Sequence, residues 1–381
     1  MTSPGSASTG KSLANAAVSF GGNTNANAQE QLDRASRATT LAEHGTEVEI
    51  ALDTCIRVSP LEASSLEGDE EAVEKLLDAV LDTRDGCLDK ALLAATTRGH
   101  EKITQMLLDR GADANAPGGF HGNPLQQASF SGFGTVVRIL LHAGAHVNAD
   151  GGHYGNALQA ASSRGHKNLV DTLLNEGARV NAQGGHYGNA LHAAAFEGHG
   201  DVVAILLDHG ADIDAPGPGA VTALQAAAFR GNEKVAEVLL DRGADINAPG
   251  GRCGPALQAA AYGGNERVVQ MLFDRRASFK EGESSKALHA ASYNGHEMVA
   301  KMLLEKGDVG TDINERQNAY DSALQAASFK GNSNIVRMLL EKGADVNANG
   351  GIFGNSLRAA LSGGHEDLVR DLVDRGADIN A

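Results

Sequence analysis

The chain has 381 residues, a formal charge of −16, 42% hydrophobic residues, 4% aromatic residues and no tryptophan. That length exceeds what one ordinary compact core fills. The acidity, with no long basic run, is the wrong balance for neutralising duplex phosphates or for an anionic membrane surface, and the scarcity of rings calls for a core of aliphatic residues and alanine.

Residues 1–28 are rich in Ser, Ala, Asn, Gly and Thr, offer little to bury and read as a disordered tail. The tail contains a phosphate-loop spelling, Gly5 to Ser12. That motif works only where a strand delivers the glycine loop to a helix N-terminus. Four residues precede Gly5, too few for a buried strand, so the match reads as chance. Residues 29–58 fit either a linker or a short helix, Gln29 to His44, packing on the first repeat of the array that begins at residue 59. No apolar run approaches a membrane span, and no signal-peptide block opens the chain. Cys55, Cys87 and Cys253 lie far apart at no metal or redox spacing, as expected of reduced thiols in a cytoplasmic or nuclear protein.

From residue 59 to 381 one pattern recurs. Its marker glycine falls at Gly68, Gly99, Gly132, Gly165, Gly198, Gly231, Gly264, Gly295, Gly331 and Gly364, mostly at steps of 33. A fixed period in this range means an all-α repeat solenoid in which each repeat packs on its neighbours. Each of about ten repeats predicts a short first helix, as over Asn156 to Arg164, capped by Asn156 or its counterpart Asn189 and ended by the marker glycine. Paired alanines (Ala160-Ala161, Ala193-Ala194) let first helices approach closely. A longer second helix comes next, with leucine eight residues after every marker, from Leu76 through Leu206 to Leu372. Apolar residues at offsets four, five and nine complete one helical face. A glycine twelve residues after the marker (Gly144, Gly177, Gly210, Gly243, Gly343) closes that helix, and an Ala-Asp-Ile/Val-Asn-Ala run with a glycine-rich tip returns the chain.

At offset seven the inner repeats are mostly apolar, whereas the first and last carry Lys75 and Asp371, which reads as polar outer faces on end repeats of a complete array. Residues 275–286 lose two positions, with Arg276 replacing the closing glycine, and the loop Gly307 to Tyr320 gains three. A local change in curvature is expected across this seam.

The stretch Gly198-His199-Gly200-Asp201-Val202-Val203 through Leu206-Leu207-Asp208-His209-Gly210-Ala211-Asp212-Ile213 resembles the ankyrin repeat, and the resemblance covers residues 59–381. The family's usual Thr-Pro-Leu-His is replaced by Asn-Ala-Leu-Gln, as at Asn156 to Gln159. The usual threonine and histidine tie neighbouring repeats by hydrogen bonds, and asparagine and glutamine can supply comparable ones. The Gly-Gly-x-Tyr-Gly-Asn-Ala-Leu-Gln-Ala-Ala style is similar to fungal ankyrin arrays, often attached to nucleotide-binding (NACHT-type) switch proteins. The resemblance implies an elongated, curved solenoid whose concave helix face and hairpin tips bind another protein.

Two residues before the marker stand Phe130, Phe196, Phe229, Tyr262, Tyr293 and Phe329, interrupted by Thr97 and Ser163. Beside that row stand Arg98, Arg164, Arg230 and Lys330. Rings beside guanidinium groups are what binding hot spots favour; covering the short helix is the competing role. The tips offer Phe120-His121, His153-Tyr154, His186-Tyr187, Arg252-Cys253 and Ile352-Phe353, either for contact with a partner or for stacking on the next tip. His100, His166, His199, His296 and His365 come directly after the marker, and Asn232, Asn265 and Asn332 replace them elsewhere. That exchange suits a structural hydrogen bond and not a catalytic proton carrier.

No catalytic, cofactor or metal site is read from the sequence. Function is expected to be that of a non-catalytic interaction scaffold, a cytoplasmic or nuclear monomer with an unknown protein partner and no nucleic-acid or membrane partner. The alternative is a sensor or regulatory arm related to a nucleotide-dependent switch.

Overall fold

The computed structural model describes residues 59–79, 86–251, 254–275, 282–306, 312–315 and 322–379. The tail, the segment before the first repeat, Cys55, Arg252, Cys253 and most of the expected seam, including Arg276, lie outside these residues. Cys87 is a free thiol.

Among the described residues the regular structure is twenty α-helices and one short 3-10 turn, Pro218–Ala220. The chain divides into two compact units, one through Asp113 and one from Ala114. The first holds α1 (Pro60–Glu67), α2 (Glu70–Ala79), α3 (Cys87–Arg98) and α4 (Glu101–Asp109). The second runs from α5 (Pro124–Ser131), α6 (Gly134–His142), α7 (Ala157–Ser163) and α8 (Lys167–Asn175) to α9 (Ala190–Glu197), α10 (Gly200–Asp208), α11 (Ala223–Arg230) and α12 (Glu233–Asp241). It continues through α13 (Ala256–Gly263), α14 (Glu266–Asp274), α15 (Glu283–Asn294) and α16 (Glu297–Lys306) to α17 (Ala323–Lys330), α18 (Ser333–Glu341), α19 (Ser356–Gly363) and α20 (Glu366–Asp374). Both units are repeat solenoids: a first helix, a glycine turn and a second helix, with like helices packed beside like. The second helix is not always the longer one, since α3 and α15 have 12 residues and the helices after them have 9 and 10.

Local chemistry sets the helix boundaries. At α7 the Asn156 side chain accepts from the Gln159 N–H at 2.9 Å, and the Gln159 side chain accepts from the Asn156 N–H at 3.1 Å. This reciprocal cap satisfies two amides that the first turn leaves open. The same box forms at Asn123–Gln126, Thr222–Gln225 and Ser322–Gln325. At the far end all ten marker glycines have positive φ. Gly165 shows why no larger residue serves: its φ is +73°, and a Cβ there would lie 2.5 Å from the His199 ring of the next repeat. Chain reversal and close approach between repeats therefore meet at one position.

The second helices carry the aliphatic core. Val202, Val203 and Leu206 in α10 are buried, as are their counterparts Val235, Ala236 and Leu239 in α12. Each such leucine contributes about 1.5–3 kcal/mol when removed from water. The first repeat departs from the expected register. Leu76 is only half-buried, and the buried place goes to Leu77, together with Val73.

Asp371 corrects the reading of the last repeat as having a polar outer face at offset seven. Its carboxylate turns back onto the preceding repeat, 3.2 Å from Arg337 Nε, and also meets Arg375 at 3.0 Å. These guanidinium partners hold its pKa below the usual carboxylate range, through the hydrogen bond from Arg375 first. Lys75, in contrast, is exposed and pairs within its own helix with Glu71.

Adjacent repeats are tied by three sets of side-chain bonds. The residue after the marker reaches back to the end of the previous short helix: His166 Nε2 to Phe130 O at 3.0 Å, His199 Nε2 to Ser163 O at 3.1 Å, Asn265 Nδ2 to Phe229 O at 2.9 Å. A carbonyl only accepts, so each ring presents an N–H, and asparagine does the same work with its amide. The capping glutamine reaches forward, Gln126 Nε2 donating to Ala149 O at 2.8 Å and Gly155 O at 3.0 Å. An asparagine in the return run bonds both ways. Asn148 donates to Gly177 O at 2.9 Å and accepts from Arg179 N at 2.8 Å, and Asn181 repeats this with Gly210 and Asp212.

Candidate partner-binding surface

The ring row sits at the C-terminal end of the short helices, one residue before the cation position. Phe130, Phe196, Phe229 and Phe329 are half-buried, whereas Tyr262 and Tyr293 are 49% and 37% exposed. The interrupting Ser163 is buried and donates to Ala160 O, and Thr97 is exposed and donates to Leu93 O.

Each cation reaches back over the ring of the preceding repeat. Arg164 lies 5.1 Å above Phe130, Arg230 4.8 Å above Phe196, and Lys330 4.3 Å above Tyr293. The ring quadrupole attracts the cation while its outer side stays wet. Arg98 is exposed at the end of α3.

The tips form a second layer. In Gly151-Gly152-His153-Tyr154-Gly155 the chain closes on itself through Gly151 N to Gly155 O at 2.7 Å, and Gly184–Gly188 does the same. Successive tips join by backbone, His153 N donating to Phe120 O and His186 N to His153 O, both at 2.8 Å. Their rings stack in register, Phe120 on His153 at 4.6 Å and His153 on His186 at 4.7 Å. The second ring of each tip leans onto the row: Tyr154 on Phe130 at 4.5 Å, Tyr187 near Phe196 at 5.9 Å, and Phe353 on Phe329 at 4.6 Å. Stacking on the adjacent tip is thus realised between Phe120 and His186.

Burial sets the electrostatics here. It pushes the His153 imidazole below its ordinary pKa, with His186 and His121 adding to the effect. It raises the Tyr187 phenol well above the usual range, reinforced by the 2.6 Å hydrogen bond to Glu197. The His153 ring and the Tyr187 phenol therefore stay neutral near pH 7. The histidines after the marker are bound to carbonyls.

The three-copy ankyrin repeat family matches residues 61–151, 157–250, 251–317 and 309–381. The chain is an ankyrin repeat protein. A solved structure, the crystal structure of the human ASB11 ankyrin repeat domain, is 28% identical with a TM-score of 0.53, covering 58% of this chain and all of that domain. No curated protein is significantly similar to the sequence. Ankyrin repeats are protein-interaction modules, and a scaffold of this kind is typically non-catalytic. Among the described residues no helix is long and apolar enough to cross a membrane.

This ankyrin repeat protein keeps the family's inter-repeat ties with different atoms. The capping glutamine bonds the next tip or return run at Gln126, Gln159, Gln225 and Gln325. In repeats without glutamine that position holds Glu62, Leu93, His192, His289 or Arg358. At His192 both ring nitrogens are buried without a hydrogen-bond partner. This ring packs beneath a tip that is irregular, Gly217-Pro218-Gly219-Ala220, in which Ala220 has φ +59°. The two-way asparagines were not among the residues expected to tie repeats together. Their signal was present in the 33-residue spacing of Asn115, Asn148 and Asn181.

Proposed function

We propose that this ankyrin repeat protein is a non-catalytic scaffold, monomeric and cytoplasmic or nuclear, that binds a partner protein on its short-helix face. The contact centres on Tyr262 and Tyr293. One observation carries this reading: in a row of six rings, four are half-buried and these two stand open. Exposed tyrosines offer large, stiff contact area at low entropic cost and are enriched at hot spots. Phe130, Phe196, Phe229 and Phe329 then serve mainly to hold repeats together. The wet sides of Arg164, Arg230 and Lys330, with His153, Tyr154, His186 and Tyr187, form the margin of the surface; Arg98, in the first unit, offers a separate exposed cation.

The test is affinity capture from the native cell with the full chain, comparing wild type, Tyr262→Ala/Tyr293→Ala and Phe130→Ala. The double tyrosine variant should melt like wild type and lose its partner. Phe130→Ala should melt earlier and keep it. A partner retained after both tyrosines are removed defeats the reading.

A further inference from the structure

The cation pattern along the ring row has a gap. Position −1 before the marker supplies a cation to the preceding ring three times, from Arg164, Arg230 and Lys330. At the two steps between Arg230 and Lys330 it does not. Gly263 has no side chain to place over Phe229. Asn294 is too short to reach over Tyr262 and is turned back on its own helix, donating to Ala290 O at 3.0 Å. Phe229 is shielded instead by Tyr262, whose ring stacks against it at 5.8 Å and 27°. Tyr262 has no cation over it among the described residues and is the most exposed ring of the row, at 49%.

We propose that the seat over Tyr262 is filled by a cationic side chain, arginine by preference, from an extended basic segment of the partner protein. This rests on the short-helix face being the interaction surface and names what that surface recognises. The chain itself shows what the seat takes: guanidinium or ammonium groups occupy the equivalent place on Phe130, Phe196 and Tyr293. The partner contributes in trans what the repeat lacks in cis. Arginine suits the seat better than lysine, because its planar, weakly hydrated group stacks on a ring without losing its hydrogen bonds. The formal charge of −16 draws a basic segment to the molecule and raises its encounter rate.

Asn294 is then a specificity-determining residue. Replacing it with arginine installs the missing intramolecular cation and closes the seat. The experiment uses the full chain, with tyrosine rings labelled for NMR. The probe is the peptide Gly-Ser-Arg-Gly-Ser-Arg-Gly, set against its counterpart with citrulline for arginine, a neutral group of the same shape.

The arginine peptide should shift the Tyr262 ring resonances and the citrulline peptide should bind roughly two- to fivefold more weakly, as expected for one exposed cation–ring contact. Tyr262→Phe should bind like wild type and Tyr262→Ala should lose that margin. Asn294→Arg should lose it too, with an unchanged melting temperature, while Asn294→Gln behaves as wild type. Equal binding of the two peptides, no shift at Tyr262 at millimolar arginine peptide, or full binding by Asn294→Arg overturns the proposal. The two readings fail separately. A partner that needs Tyr262 and Tyr293 but survives Asn294→Arg leaves the surface standing and removes the cation seat.

Discussion

Gln159 and Gly188 are joined across two repeats: the glutamine amide donates to the glycine carbonyl at 3.1 Å. The same side chain donates to Ala182 O at 3.1 Å and caps its own helix through the Asn156 N–H. One amide group thus links a helix start, a return run and the neighbouring tip. Removing it leaves buried polar groups without partners, which costs more than the bonds themselves contribute.

Gln159→Ala should therefore destabilise the second compact unit by about 1–3 kcal/mol. Gln159→Glu is expected to be as damaging although it keeps the cap, because its second carboxylate oxygen would face two carbonyl oxygens. Urea midpoints and amide exchange at residues 182–188 check this. Wild-type protection there in Gln159→Glu would show that the cap alone matters.

His192 gives the molecule an acid-sensitive point. Burial, with His186 adding to it, holds its pKa down at about 4, against an ordinary value of 6.5. Below about pH 6.5 the unfolded chain takes up a proton that the folded ring refuses, so stability falls with pH down to about 4 and then levels off. The full gap corresponds to on the order of 3 kcal/mol. His192→Gln, which restores the residue found at Gln159 and Gln225, should flatten most of that limb. His121, His153 and His289, also pushed down by burial, account for the remainder. Melting temperatures between pH 4 and 8 measure the effect, and an unchanged profile in His192→Gln would refute it.

Two glycines separate backbone conformation from packing. Gly177 has φ +88° with open space where a Cβ would stand, whereas Gly165 has φ +73° and faces the His199 ring at 2.5 Å. Gly177→Ala should cost about 1–2 kcal/mol for the left-handed backbone alone. Gly165→Ala should cost roughly 1–2 kcal/mol more, since the ring must move and its bond to Ser163 O is lost. Equal melting temperatures for the two variants would place the whole penalty in the backbone.

Leucines at the same offset should differ in weight. Leu206→Ala, fully buried in α10, is expected to cost about 2–5 kcal/mol. Leu76→Ala, half-buried, should cost less than Leu77→Ala in the same helix. Denaturant titration of the three variants checks the order.

Much of the fold was legible in the chain because its determinants are local and repeated. Marker glycines, capping asparagines and the leucine stripe each act within one helix pair, and each recurs often enough to stand above chance. Exchange of histidine for asparagine after the marker pointed to a shared hydrogen bond, and His199 and Asn265 make it to the same kind of carbonyl. Exposure along the ring row was not legible. Phe196 and Tyr262 hold the same sequence position, yet Arg230 covers the first and Asn294 leaves the second open.

The sequence by itself determined the helix-pair order, the glycine-capped helix ends, the period and the family, because caps, turns and the apolar stripe are short-range and read directly from residue order. Tertiary structure alone decided which rings stay open, that Leu77 and not Leu76 is buried, that Asp371 pairs back onto the preceding repeat and that His192 lies unpartnered. Each of these depends on what a neighbouring repeat places against the residue, and that contact lies about 33 residues away in the chain.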